Sequence, residues 1–172
     1  MISGIGGGVA TFALQFAVAT GAAVFVTSSS AEKIDRAISL GAKAGFNYAT
    51  ENWHKTAKSE HGLMDLIIDS GGGDGYANLL DLAAAGGRIV NYGATAGPTR
   101  RVDLFKLFWK QLHLMGSTMG STADFRTMLD FVNAHRIKPV VDAVYPLAEG
   151  NTALQSMKES RQFGKIVLDI TL

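Results

Sequence analysis

"MISGIGGGVATFALQFAVATGA" (residues 1–22) decides how the rest of the chain is read. Gly4, Gly6, Gly7 and Gly8 run directly into an uncharged apolar stretch whose pattern predicts a helix over Val9–Thr20. Where a strand turns straight into a helix, glycines permit the tight turn, and the first N–H groups of the helix can approach a pyrophosphate. Such a turn normally follows a full buried strand, yet Met1, Ile2 and Ser3 are all that stands before the first glycine. The spacing also departs from GxGxxG, because Val9 occupies its last position. Gly4, Gly7 and Ala10 give GxxGxxA instead, and Ala10 is small enough for close packing. Taken alone, the motif fits a dinucleotide cradle and a glycine-rich turn that binds nothing equally well.

The next strand bears on the choice of ligand. "VFVTSSSAEKIDR" places Ser28 where NAD-selective sites carry an acidic residue that holds the ribose hydroxyls. A carboxylate there would repel a 2′-phosphate, and none occurs until Glu32. Ser28, Ser29, Lys33 and Arg36 supply hydroxyl donors and positive charge instead, which favours NADP(H). A structural reading stands beside this one: Ser29 to Glu32 forms an SxxE capping box, so the serines can serve simply to start a helix.

Outward from there, short apolar runs alternate with helical patterns. "AAVFVTS" (22–28), "AGFNY" (44–48), "LMDLIIDS" (63–70) and "GRIVNYG" (87–93) read as strands. Ala31–Leu40, Thr50–Glu60 and Tyr76–Ala85 read as the helices between them. The alternation predicts an α/β fold, a doubly wound parallel sheet with helices on both faces. "QLHLMGS" (111–117), preceded by a short helix over Leu104–Trp109, adds an edge strand. "DSGGGDG" (69–75) and "YGATAG" (92–97) fall at the carboxyl edge, where such sheets bind ligands. After a helix over Thr122–Ala134 the rhythm changes, and "KPVVDAVYPL", a helix over Gly150–Ser160 and "GKIVLDITL" form a β-α-β tail.

Composition narrows the classes of function. The 172 residues, 47% of them hydrophobic, can bury a sizeable core. A net charge of +1 with no basic run gives no reason to expect nucleic acid or an anionic membrane. The uncharged stretch Met1–Ala31 is broken by glycines and hydroxyl residues and lacks a basic flank, so it reads neither as a membrane span nor as a signal peptide. Zero cysteines exclude disulfides, a thiol nucleophile and cysteine-ligated metal, and are compatible with a cytoplasmic home. His54, His61, His113 and His135 form no convincing zinc set, so no metal ligand and no catalytic residue is assigned.

Together these segments resemble the coenzyme-binding half of the medium-chain dehydrogenase/reductase superfamily, in its quinone-reductase-like and zinc-binding alcohol dehydrogenase branch. The stretch from "GIGGGVATFALQF" through "GAKAGFNY" matches its cradle, second strand and third strand in order. "DSGGG", "GGRIVNYGATAG", "LFWKQLHLMGSTMGS" and "YPLAEGNTALQSMKESRQFGKIVLDI" follow in sequence, so the likeness covers essentially the whole chain. The resemblance implies pyrophosphate contacts from Gly7, Gly8 and Val9, and 2′-phosphate contacts from Ser28, Lys33 and Tyr48. It places nicotinamide-side contacts near Ser70, Gly93 and Ser117. It further implies a Rossmann domain over 1–136 with a truncated first strand, and a segment over 137–172 belonging to a catalytic domain that is absent here. The chain is thereby expected to be a catalytically incomplete fragment of an NADP(H)-dependent oxidoreductase, meeting its small-molecule substrate through the missing N-terminal domain. A homodimer is expected through the edge near Gln111–Ser117, with association through Val140–Leu147 and Ile166–Ile170 as the other route.

Two alternatives remain open at this stage: a non-catalytic nucleotide-binding or sensory module, and a methyltransferase using S-adenosylmethionine. A short-chain dehydrogenase fits less well, because none of Tyr48, Tyr76, Tyr92 and Tyr145 has a lysine four residues on.

Overall fold

In the computed structural model, which describes residues 1–171, the chain alternates strands and helices from its first residues. Helix α1 (Gly8–Ala19) leads through β1 (Phe25–Ser28), α2 (Ala31–Ser39) and β2 (Ala44–Asn47) to α3 (Trp53–His61). β3 (Met64–Asp69), α4 (Tyr76–Leu82), β4 (Ala83–Asn91), α5 (Leu104–Trp109) and β5 (His113–Gly116) follow. α6 (Thr122–Ala134) precedes a tail of β6 (Val141–Pro146), α7 (Gly150–Lys158) and β7 (Lys165–Asp169).

The opening tripeptide occupies the central position of the sheet. Ile2 bridges in parallel to Val26 on one side and Ile68 on the other. Its N–H donates to the Phe25 carbonyl at 2.8 Å, while the Ser3 N–H donates to the Ile68 carbonyl at 2.9 Å. This joins the parallel pair β1-β2 to the parallel ladder β3-β4-β5. The order across the sheet is therefore β2, β1, Met1–Ser3, β3, β4, β5, which puts the reversal of strand order beside the glycine turn. In doubly wound sheets, ligands bind at that reversal.

Alternation along the strands builds a core on each face. Met1, Phe25 and Ile67 point into a cluster with Trp53, Ala57, Tyr76 and Leu80 from α3 and α4. Ile2, Val26 and Val24 point the other way, toward Ala10 and Leu14 of α1 and Ala37 of α2. The uncharged helix α1 is partly covered on its outer side: Phe16 meets Phe131 of α6 edge-on at 5.5 Å, and Gln15 donates to the Lys138 carbonyl at 2.8 Å. The tail strands pair in parallel with each other. They are tied to the main body where the Gly164 N–H donates to the Gly6 carbonyl at 2.8 Å and Phe163 enters the α1–α2 core.

Three departures from the sequence reading have a local cause. Helix α4 stops at Leu82 rather than Ala85, and Ala83 turns extended to pair with Met64. The Lys110 ammonium caps that end, donating to the carbonyls of Leu80, Asp81 and Ala83 at 2.8, 3.0 and 2.9 Å. Helix α3 begins at Trp53 rather than Thr50, because Asn52 adopts a left-handed φ of 57°. The α2 cap is Ser30, whose hydroxyl accepts from the Lys33 N–H at 3.3 Å, so the capping box expected from Ser29 does not form.

Candidate functional site

The glycine turn forms the floor of a cleft of ≈ 980 Å³. Gly4 (φ +65°) and Gly6 (φ +129°) hold left-handed conformations that a side chain would strain. At Gly7 a Cβ would meet no atom within 4 Å, so the turn presents bare backbone to the cleft. Gly7 is also the N-cap of α1, where no side chain caps the helix and no acidic residue stands in the first turn. The first N–H groups of a helix without such partners are an anion site by both hydrogen bonding and dipole. The stem of Lys165 lies over Gly8, with Nζ 3.4 Å from where a Cβ would stand, adding a cation to the same end.

One wall comes from the ends of β1 and β2. Ser28 is buried there, and its hydroxyl accepts from the Ser30 N–H at 3.2 Å. Ser29 and Tyr48 are exposed at the rim, and Lys33 reaches across from α2. The Lys33 ammonium donates to the Ser160 carbonyl at 2.5 Å, and its stem passes over Gly6. Partial burial lowers the Lys33 pKa from its ordinary value, while Asp142 pulls the other way. Arg36 does not join this wall. It pairs with Asp142 at 2.9 Å and stacks over the Phe163 ring at 4.5 Å.

The opposite wall follows β3. Ser70 lines the cleft, and its carbonyl accepts from the Thr95 N–H at 3.0 Å, drawing the loop after β4 onto the loop after β3. Behind it the Asp69 carboxylate accepts from the Ser3 hydroxyl, from the N–H groups of Gly71 and Gly72 at 3.2 and 2.9 Å, and from the Asn91 amide at 3.0 Å. The Tyr76 hydroxyl donates to Asn91 Oδ1 at 2.9 Å, and burial followed by the nearby Asp69 raises its pKa.

Of the ten residues singled out from sequence, Gly7, Ser28, Ser29, Lys33, Tyr48 and Ser70 converge on this cleft. Gly93 lies in an adjoining hollow of ≈ 240 Å³ with Asn91 and Leu114. Gly8, Val9 and Ser117 line neither space. Ser117 instead continues the sheet, its N–H donating to the Asn91 carbonyl at 2.8 Å. Sequence reasoning missed Arg161, which the tail brings to the cleft mouth beside Glu159 at 2.5 Å, and Lys165. It also missed Thr27, whose hydroxyl accepts from the Gly4 N–H at 3.2 Å and fixes the turn to β1. Among the described residues no group of three or more His, Cys, Asp or Glu could hold a metal ion, so the residues present do not fit a zinc site. No helix among them is long and apolar enough to cross a membrane.

A family model described as zinc-binding dehydrogenase matches residues 8–134, which include the first turn of α1 and every strand of the main ladder. The chain belongs to that family. A zinc-type alcohol dehydrogenase-like protein of Leptosphaeria maculans is 38% identical over 180 residues, covering 99% of this chain and 50% of the relative. The crystal structure of an NAD-dependent alcohol dehydrogenase superposes with a TM-score of 0.90 at 34% identity, over 98% of this chain and 50% of that one. A 2-octenoyl-CoA carboxylase reductase solved with NADP and 2-octenoyl-CoA gives a TM-score of 0.88 at 25% identity, over 97% of this chain and 42% of that one. The chain thus spans about half the length of these relatives, and over that span it shares the Rossmann-type coenzyme-binding fold of medium-chain dehydrogenases.

Proposed function

We propose that this chain is the NADP(H)-binding portion of a medium-chain oxidoreductase that moves a hydride to or from a carbonyl, alcohol or quinone-type small molecule. The observation that carries the reading is the cleft wall at Ser28 and Lys33: hydroxyls and an ammonium stand where an NAD-selective site would hold a carboxylate. In this reading Gly7, Gly8 and Val9 offer main-chain N–H groups to the pyrophosphate, with Lys165 as countercharge. Ser28, Ser29, Lys33 and Tyr48 face the 2′-phosphate, and Arg161 adds a second cation there. Ser70, Gly93 and Ser117 border the nicotinamide end. The bound dinucleotide would supply the hydride chemistry, and this chain's residues would bind and orient it. Substrate contacts and any proton donor lie outside the residues assigned here. Residues 1–136 then act as the dinucleotide-binding domain and 137–172 as a segment of the substrate-side domain.

Calorimetric titration with NADPH, NADH and S-adenosylmethionine tests the proposal. Tighter binding of NADPH than of NADH is expected, with no heat from S-adenosylmethionine. Preference for NADH would overturn the 2′-phosphate assignment, and binding of S-adenosylmethionine alone would overturn the oxidoreductase reading.

A further inference from the structure

The cations assigned above to the 2′-phosphate, Lys33 and Arg161, each already have a partner, and the two partners differ in charge. Lys33 donates to the neutral Ser160 carbonyl, which leaves its positive charge uncancelled. Arg161 pairs instead with the Glu159 carboxylate at 2.5 Å, and Glu159 lines the same cleft. That carboxylate is held in place. Its other oxygen accepts from the Gln155 amide at 2.6 Å, one turn back along the chain on α7. Ser160 takes a left-handed φ of 54°, folding the chain back so that the Arg161 N–H reaches the Ser156 carbonyl at 3.3 Å.

The stability of α7 does not account for this carboxylate. Glu159 is the C-cap of α7, at the negative end of the helix dipole, where a carboxylate is disfavoured and a cation such as the preceding Lys158 is favoured. Its consequence falls on the cleft. A 2′-phosphate approaching Arg161 must displace Glu159 or share the guanidinium with it, and it meets the repulsion of a second anion. A dinucleotide without that phosphate meets neither cost. Glu32 also borders the cleft, but it is exposed and joins none of the ion pairs among the described residues.

We propose that Glu159 is a specificity-determining residue at the adenosine end of the cleft: by neutralising Arg161 it lowers the preference for a 2′-phosphorylated dinucleotide over an unphosphorylated one. The proposal rests on the dinucleotide reading and deepens it, because it assigns what limits the discrimination between NADPH and NADH.

The test measures the affinities of the full chain for NADPH, NADH and adenosine 2′,5′-bisphosphate by calorimetry. Glu159→Gln keeps the size of the side chain and an acceptor for the Gln155 amide, and removes the charge. It should raise the ratio of NADPH to NADH affinity roughly two- to five-fold, the size expected of a partly exposed ion pair. In an Arg161→Ala chain the same substitution should leave the ratio nearly unchanged. Glu32→Gln, the same loss of charge on the same cleft, should move the ratio less than Glu159→Gln does. An unchanged or lowered ratio in Glu159→Gln would overturn the proposal, as would an equal rise in Glu32→Gln or a rise undiminished without Arg161. If circular dichroism shows Glu159→Gln unfolded, Glu159→Ala takes its place with the same expected rise and the same overturning results. Failure of the unaltered chain to bind the bisphosphate would instead refute the dinucleotide reading itself, whereas bisphosphate binding with an unmoved ratio would refute only the role of Glu159.

Discussion

In the proposed reading, the choice of cofactor turns on Lys33. Its ammonium already bonds the Ser160 carbonyl at 2.5 Å, from a residue 127 positions along the chain. A phosphate must therefore compete with an existing partner, which reduces the net gain from the new charge-assisted bond. Lys33→Ala is expected to weaken NADPH by about 1–3 kcal/mol, toward the lower end for that reason, while sparing NADH. Calorimetry with both cofactors checks this, and equal loss for both would place Lys33 outside the 2′-phosphate site. Half of this site was legible in the sequence. Ser28, Lys33 and Tyr48 follow consecutive strand ends, so their meeting is fixed by the alternation of strands and helices once the sheet is parallel. Arg161 and Lys165 were not legible, because the main-chain bond from Gly164 to Gly6 carries the tail to the cleft, and no local pattern announces that bond. Arg36 shows the opposite failure, a cation at a plausible spacing that the phase of α2 turns toward Asp142.

Among the elements, the junction of α4 and β4 shows what periodicity cannot read. Alanine has the highest helix propensity, so Ala83, Ala84 and Ala85 extend a helical pattern on paper. The chain turns extended there because Lys110, far along the sequence, satisfies three carbonyls at the end of α4. Lys110→Met keeps the apolar stem and removes all three bonds. It is expected to cost about 1–3 kcal/mol of stability, read from the midpoint of urea unfolding. Lys106→Met supplies the contrast. Its pair with Asp81, though short at 2.5 Å, lies partly in solvent, and exposed pairs contribute only ~0–1 kcal/mol. Equal losses in the two variants would show that capping does not set the boundary. The remaining helices and strands fell close to their expected positions because apolar alternation on strands and glycines between elements are local signals.

At the scale of the whole molecule, β5 leaves one edge of the sheet open. Ser117 donates inward to Asn91, so by alternation the Leu114 N–H points outward, away from β4. Beside that edge α5 exposes Phe105, Phe108 and Trp109, the last at 73%. An open edge next to apolar surface favours pairing with a second copy, and we propose a homodimer formed there about a two-fold axis. Light scattering should report a dimer at micromolar concentration, and Leu114→Pro should convert it to monomer while leaving the β4–β5 ladder intact. A dimer indifferent to that proline in a folded chain would shift the interface to the exposed faces of β6 and β7. At the centre of the sheet the main-chain bonds of Met1–Ser3 join β1-β2 to β3-β4-β5, and Phe25 and Phe46 of one flank share a core with Met64, Ile67 and Ile89 of the other. Ser28 and Tyr48 stand on the first flank and Ser70 and Asp69 on the second, so the packing that joins the flanks also sets the width of the cleft. A ligand touching both walls is then a clasp, and its grip and the stiffness of the sheet are one mechanical property.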